Sequence, residues 1–158
     1  MTQRMQNPAF AIANVGPALI SLGQALGAAR TGNIQPKLVL LTHVRTSQLN
    51  GCSYCVSFHS REARKAGETE DRLYAVAAFR HSSLFSPAEK VALELTEAVT
   101  VVGSGEMVSD ALWAEAGRYF TQEELAALLL EIATTNLWNR LNAATRQQFH
   151  LKAAAAAA

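Results

Sequence analysis

Two four-residue strings, SPAE at residues 86–89 and TQEE at residues 121–124, constrain the fold more than any other feature of the chain. Each pairs a hydroxyl residue with a glutamate three positions later. In that arrangement hydroxyl and carboxylate reciprocally satisfy unpaired N–H groups at a helix start. Pro87 sits at the first helical position of the first string, where its missing N–H is tolerated. Apolar residues then recur at helical spacing: Val91, Leu95, Ala98 and Val102 in one case, Leu125, Leu129 and Ile132 in the other. The glycines of VGSGE stop the first helix, whereas TQEELAALLLEIATTNLWNRL predicts a long second one. A further helix, KLVLLTHVRTSQLN, begins after Pro36 and ends at the turn dipeptide Asn50–Gly51, with Asn50 placed to cap the next helix. That next segment, CSYCVSFHSREARKAG, gathers Arg61, Arg64 and Lys65 in its last turns before Gly67, as the helix dipole and a glycine terminus favour. Sustained alternation of apolar and polar residues is missing, so no strand is predicted. The expected fold is all-α, with about six or seven helices of typical length.

A chain of 158 residues with 49% apolar composition can bury one real core, and residues 1–150 are expected to form a single domain. The alanine-rich tail, 151–158, is low-complexity and is set aside. A formal net charge of +1 without a local basic tract argues against a nucleic-acid partner. The apolar segment NPAFAIANVGPALISLGQALGAAR reads as a folded helix rather than a signal peptide, because Asn7, Asn14, Pro17 and Gln24 interrupt it and only Arg4 precedes it. No uninterrupted apolar run approaches the roughly 18 residues needed to span a bilayer. A soluble protein is expected. Two cysteines in one tight motif do not resemble the disulfide framework of a small secreted domain, so a cytoplasmic location is expected.

Those cysteines carry the chemistry. Cys52, in the first turn of its helix, lies near unpaired N–H groups and the positive end of the dipole, which favour thiolate over thiol. Cys55, three residues on, is close enough for a disulfide, and His59 follows Cys55 by one helical turn, where it can take a proton. An imidazole with an unperturbed pKa near ~6.5 suits that transfer at neutral pH. From spacing alone three readings stand: redox chemistry, structural filling by small apolar residues, and metal binding. Metal is the weakest, since three ligands need a fourth or an open position, and the only histidine nearby in sequence is His43 on the preceding helix.

The string RTSQLNGCSYCVSFHSREARKAG resembles the core motif of the AhpD-like alkylhydroperoxidase and carboxymuconolactone decarboxylase family, and RLYAVAAFRHSSLFSPAEKVALELTEAVT and NLWNRLN are also similar to it. The likeness covers roughly residues 5 to 150. It implies an all-helical fold assembling into homo-trimers or homo-hexamers, with the C-x-x-C at the start of a central helix. By that resemblance Cys55 is the peroxidatic cysteine, Cys52 the resolving cysteine and His59 the relay histidine. The implied activity is an antioxidant oxidoreductase, a peroxidase that reduces a hydroperoxide and is restored by a dithiol reductant or a lipoyl-bearing protein. No cofactor or metal is expected on this chain.

Two departures from the family pattern stand out. The residue between the cysteines is Tyr54 rather than histidine, and with an unperturbed pKa near ~10 its phenol is expected to pack rather than act as a base. The glutamate expected twelve residues before the first cysteine is replaced by Leu40, so the relay is expected to lose its carboxylate and peroxidase activity to be weak. His43 could face the same way and compensate, while Glu89 is committed to its capping box.

Asn136 continues the stripe Leu125, Leu129, Ile132 where an apolar residue is expected, and Asn139 and Arg140 follow within a turn. A hydrogen-bond network between helices or subunits is the favoured reading, with an approach to the cysteine site as the alternative. Trp113, Trp138 and the phenylalanines are expected in the core, and His81 and His150 are assigned no role. Two other functions compete: a decarboxylase or lactone-processing lyase, which would not need the cysteine pair, and a non-catalytic oligomeric redox sensor.

Overall fold

Both capping boxes form. A computed structural model, describing residues 2–103 and 105–150, shows Ser86 and Glu89 exchanging bonds with each other's backbone, and Thr121 and Glu124 doing the same. The helices are α1 (Pro8–Ala11), α2 (Val15–Ala28), α3 (Pro36–Leu49), α4 (Ser53–Lys65), α5 (Glu70–Ala75), a 3-10 helix (Val76–His81), α6 (Pro87–Thr100), α7 (Asp110–Ala116) and α8 (Gln122–Thr145). No strand occurs among the described residues, as expected, and α8 is the longest helix at 24 residues. The alanine-rich tail lies outside the described residues. No described helix is long and apolar enough to cross a membrane.

The segment expected to be one N-terminal helix is two. Asn14 takes a left-handed conformation, φ 67°, between α1 and α2. The two pieces fold back so closely that a Cβ on Gly16 would stand 2.6 Å from the Phe10 ring. Any side chain at position 16 would have to displace that ring. This single-turn α1 and the short α5 bring the helix number slightly above the expected range.

Helix α3 runs through the middle of the domain and packs against α4, α6 and α8. Its residues divide between two buried apolar clusters. Leu38 and Val39 join Ile34, Val91, Ala92, Leu95, Phe120, Leu125, Leu128 and Ile132, whereas Leu41 and Val44 join Ala63, Leu73, Val76, Phe79, Phe85 and Leu93. Burial leaves the hydroxyls of Thr42, Thr46 and Ser47 on α3 without water. Two of them answer by bonding their own helix: Thr42 donates to the Val39 carbonyl at 2.7 Å and Ser47 to that of His43 at 2.7 Å. A fixed, buried α3 is what holds His43 and the α3–α4 turn in place.

Candidate active site

The turn that delivers the cysteines is built on Gly51. Its φ of +63° reverses the chain after α3, with Gly51 N–H donating to Gln48 O and Cys52 N–H to Ser47 O, both at 3.1 Å. This pair of bonds is a Schellman ending. Asn50, expected to cap α4, instead closes α3: its amide donates to Thr46 O, Asn136 Oδ1 and Asn139 Oδ1 at 2.8–3.1 Å. The N-cap of α4 is Cys52 itself, whose sulfur accepts the Cys55 N–H at 3.3 Å. Cys52 and Cys55 are bonded as a disulfide, with Cα atoms 5.3 Å apart.

The two sulfurs have different surroundings although both residues are buried. Cys55 lines a cavity of about 480 Å³, and Cys52 does not. His59 lines the same cavity one turn further along α4, so spacing and exposure agree for this pair. The remaining wall is largely aromatic: Phe10, Tyr54, Phe58 and Trp138. Tyr54 packs as expected, stacked on Phe58 at 6.3 Å and edge-on to Phe149 at 5.6 Å. The expectation that tryptophans and phenylalanines fill the core fails for several of them. Phe79, Phe85 and Phe120 are buried, but Trp113 is 47% exposed, Phe10 and Phe58 are exposed, and Trp138 is a half-buried wall residue.

A carboxylate stands behind the histidines, and it comes from a part of the chain that the motif does not reach. Glu131 on α8 is buried, with Oε2 3.0 Å from His43 Nε2 and Oε1 accepting from Arg30 Nε and Nη2 at 2.9 and 2.7 Å. Leu40 leaves no carboxylate at its own position, as expected, and an acidic group beside His43 is supplied instead by another helix. Burial pushes the Glu131 carboxyl up, but the bonds and charges of His43 and Arg30 outweigh this and hold it below the usual carboxylate range. His43 in turn meets His59 edge to face, with ring centroids 4.8 Å apart. Crowding by protein, followed by the charge of His43, lowers His59 from 6.5 to about 3, so its ring is uncharged at neutral pH. Glu89, by contrast, is occupied by its capping box and by Arg72, as expected.

On α8 the asparagines form a ladder with one rung per turn. Asn136 donates to Thr100 Oγ1 at 3.1 Å and Asn139 to Ser47 Oγ at 3.2 Å, and both accept from Asn50. The expected inter-helix network is present; Arg140 is exposed outside it. The next rung, Asn142, is not foreseen from the sequence: its amide donates to Cys55 Sγ at 3.4 Å. The repeat N-x-x-N-x-x-N within NLWNRLN is the signal that could have found it. Among the described residues no group of three or more His, Cys, Asp or Glu side chains is arranged to hold a metal ion.

A model of the carboxymuconolactone decarboxylase family matches residues 14–98. The chain belongs to that family. Within the match lie Cys52, Cys55, His59 and His43; Glu131, Trp138 and Asn142 lie beyond it. The chain is similar to uncharacterized protein YdfG of Bacillus subtilis strain 168, 40% identical over 66% of this chain and 70% of its own. Uncharacterized protein YnjA of Escherichia coli K12 is 34% identical over 70% of this chain, which spans 60% of that relative's length. Among solved structures, a protein of unknown function from Agrobacterium tumefaciens, provisionally named an AhpD antioxidant-defence protein, superimposes with a TM-score of 0.86 at 24% identity, over 96% of this chain and 100% of that one. The debrominase Bmp8, without ligand, superimposes with a TM-score of 0.77 at 25% identity over 87% of this chain and 72% of its own. The all-helical AhpD-like fold is thereby shown.

Proposed function

We propose that this protein is a thiol-dependent peroxidase in which Cys55 reduces a hydroperoxide and Cys52 closes the disulfide. The observation that carries this reading is the asymmetry of the pair: Cys55 faces the cavity together with His59, and Cys52 sits behind it at the helix N-cap. A reaction needs one sulfur the substrate can reach and a second that only the first can reach. Family membership and the similar AhpD-like and debrominase structures support an enzyme.

Reduced Cys55 passes its proton to His59 and the thiolate attacks the outer oxygen of ROOH. The O–O bond breaks, the alkoxide takes the proton and leaves as ROH, and Cys55 is left as a sulfenic acid. The Cys52 thiolate attacks that sulfur, hydroxide departs as water, and the disulfide seen here forms. An external dithiol then exchanges with the disulfide, is itself oxidised, and restores both thiols. His59 is a base whose charge the surroundings oppose, so it becomes charged only alongside a thiolate at Cys55. Glu131 bonds the His43 ring, which packs edge-on against His59, and so holds both rings in place. We also read the protein as a homo-oligomer, because Phe10, Ile12, Ile20 and Leu22 of the α1–α2 region are exposed in the single chain.

The aromatic wall favours a second reading. Thiol chemistry on a planar substrate would suit it, and the structurally similar Bmp8 is a debrominase that has also been solved, with one cysteine replaced by alanine, in complex with 2,3,4-tribromopyrrole. The experiment runs each Cys→Ser variant with a hydroperoxide and with a bromopyrrole in the presence of dithiol. Cys55→Ser should end peroxide consumption, and Cys52→Ser should accumulate a sulfenic acid trappable with dimedone. Full, equal peroxide turnover by both variants would exclude the mechanism; bromide release without peroxide turnover would favour the second reading.

A further inference from the structure

The amide ladder reaching Cys55 has a direction, and that direction is set outside the motif. Asn7 is the N-cap of α1, and its Oδ1 accepts the Ala9 backbone N–H at 2.9 Å. A backbone N–H can only donate, so Asn7 must present oxygen to Ala9. Its NH2 group is then the one that meets Asn142, donating to Oδ1 at 2.6 Å. With its oxygen occupied, Asn142 must turn its own NH2 to Cys55 Sγ, 3.4 Å away. Each step removes the ambiguity of the next amide. Both asparagines are buried, at the wall of the cavity that Cys55 lines.

We propose that Asn142 is a hydrogen-bond donor to the reduced Cys55 sulfur and that Asn7, acting through it, is a positioning residue that fixes the donor's polarity. A disulfide sulfur accepts weakly, whereas a thiolate at the same place is a strong acceptor. The donation therefore strengthens when Cys55 is reduced and ionised, and favours the nucleophilic form. By this route the N-terminal residues before α2, nearly fifty positions from Cys55, belong to the site. The inference deepens the peroxidase reading, which supplies the reason for an activated Cys55, but its test needs no peroxide.

The test is the pH profile of Cys55 alkylation by iodoacetamide, in reduced protein carrying Cys52→Ser. Asn142→Leu is expected to raise the midpoint by about one pH unit, a loss of roughly tenfold in rate at neutral pH. Asn7→Asp preserves the helix cap, since an aspartate oxygen still accepts from Ala9, but turns a second acceptor toward Asn142. That reverses the Asn142 amide and points its oxygen at the sulfur. Asn7→Asp should therefore raise the midpoint clearly more with Asn142 in place than in the Asn142→Leu background, where only the added charge acts. An unchanged midpoint in Asn142→Leu would overturn the proposal, as would an equal effect of Asn7→Asp in both backgrounds. Because the readout counts alkylated thiol, the proposal can hold in a protein that fails every peroxide assay, and the two failures are told apart.

Discussion

Acid should weaken this fold through His59 before it touches any carboxylate. The folded chain holds His59 at about 3 against 6.5 for the free residue, so between those values the unfolded chain binds a proton that the folded chain refuses. Stability is then complete above about pH 6.5 and is lost as the pH falls toward 3. Glu89, Glu97, Glu124 and Glu131 are all held below their free value of 4.5, and their stabilisation is lost only as the pH drops below that. The interval from pH 7.5 to 4.5 thus belongs mainly to His59. Over the two pH units below 6.5, at about 1.4 kcal/mol each, the loss is roughly 3 kcal/mol. For a domain of this size that lowers the melting temperature by about 6–12 °C. Urea unfolding of the disulfide form at both pH values should show this loss in the parent chain and most of it removed in His59→Gln, which cannot take up the proton. Equal losses in both proteins, or a His59 ring titrating near 6.5 by NMR, would contradict this account.

Glu131→Gln should slow the reaction of reduced Cys55 with peroxide by about 10²-fold, because His43 then loses its carboxylate partner. Adding Leu40→Glu to that variant, at the position the family motif uses, should leave most of the defect if α8 is the true source of the carboxylate; stopped-flow peroxide reduction reads both. Gly51→Ala should cost about 1–2 kcal/mol in urea unfolding although a Cβ there meets nothing within 4 Å, since the penalty is that of the left-handed backbone alone. Gly51→Asn should cost less.

The helices were legible because their ends are written in local chemistry: Ser86 with Glu89, Thr121 with Glu124, and the prolines at the starts of α3 and α6. Cys55 and His59 share one cavity because one helical turn separates them, and a turn is a local fact. Glu131 was invisible for the opposite reason. It sits in LLLEIATT as an ordinary polar helix residue, and only packing of α8 on α3 turns it toward His43, 88 positions away. One cue was present, an acid embedded in an apolar run, but nothing in the string names its partner. The aromatic wall was misassigned on similar grounds, since Trp138 and Phe10 look like core in any window and become cavity only when α1 folds over α8. Asn50 was misplaced because the cap it was expected to supply is made by the cysteine sulfur.

The cavity beside Cys55 is assembled from three separate stretches of the sequence. Asn7 is made first, the cysteines by position 55, and Glu131 and Asn142 only with α8. An unfinished chain on the ribosome carries the dithiol without the carboxylate behind its histidines and without the amide at its sulfur. On the proposed reading, a chain ended before α8 keeps the motif and should react more slowly with peroxide.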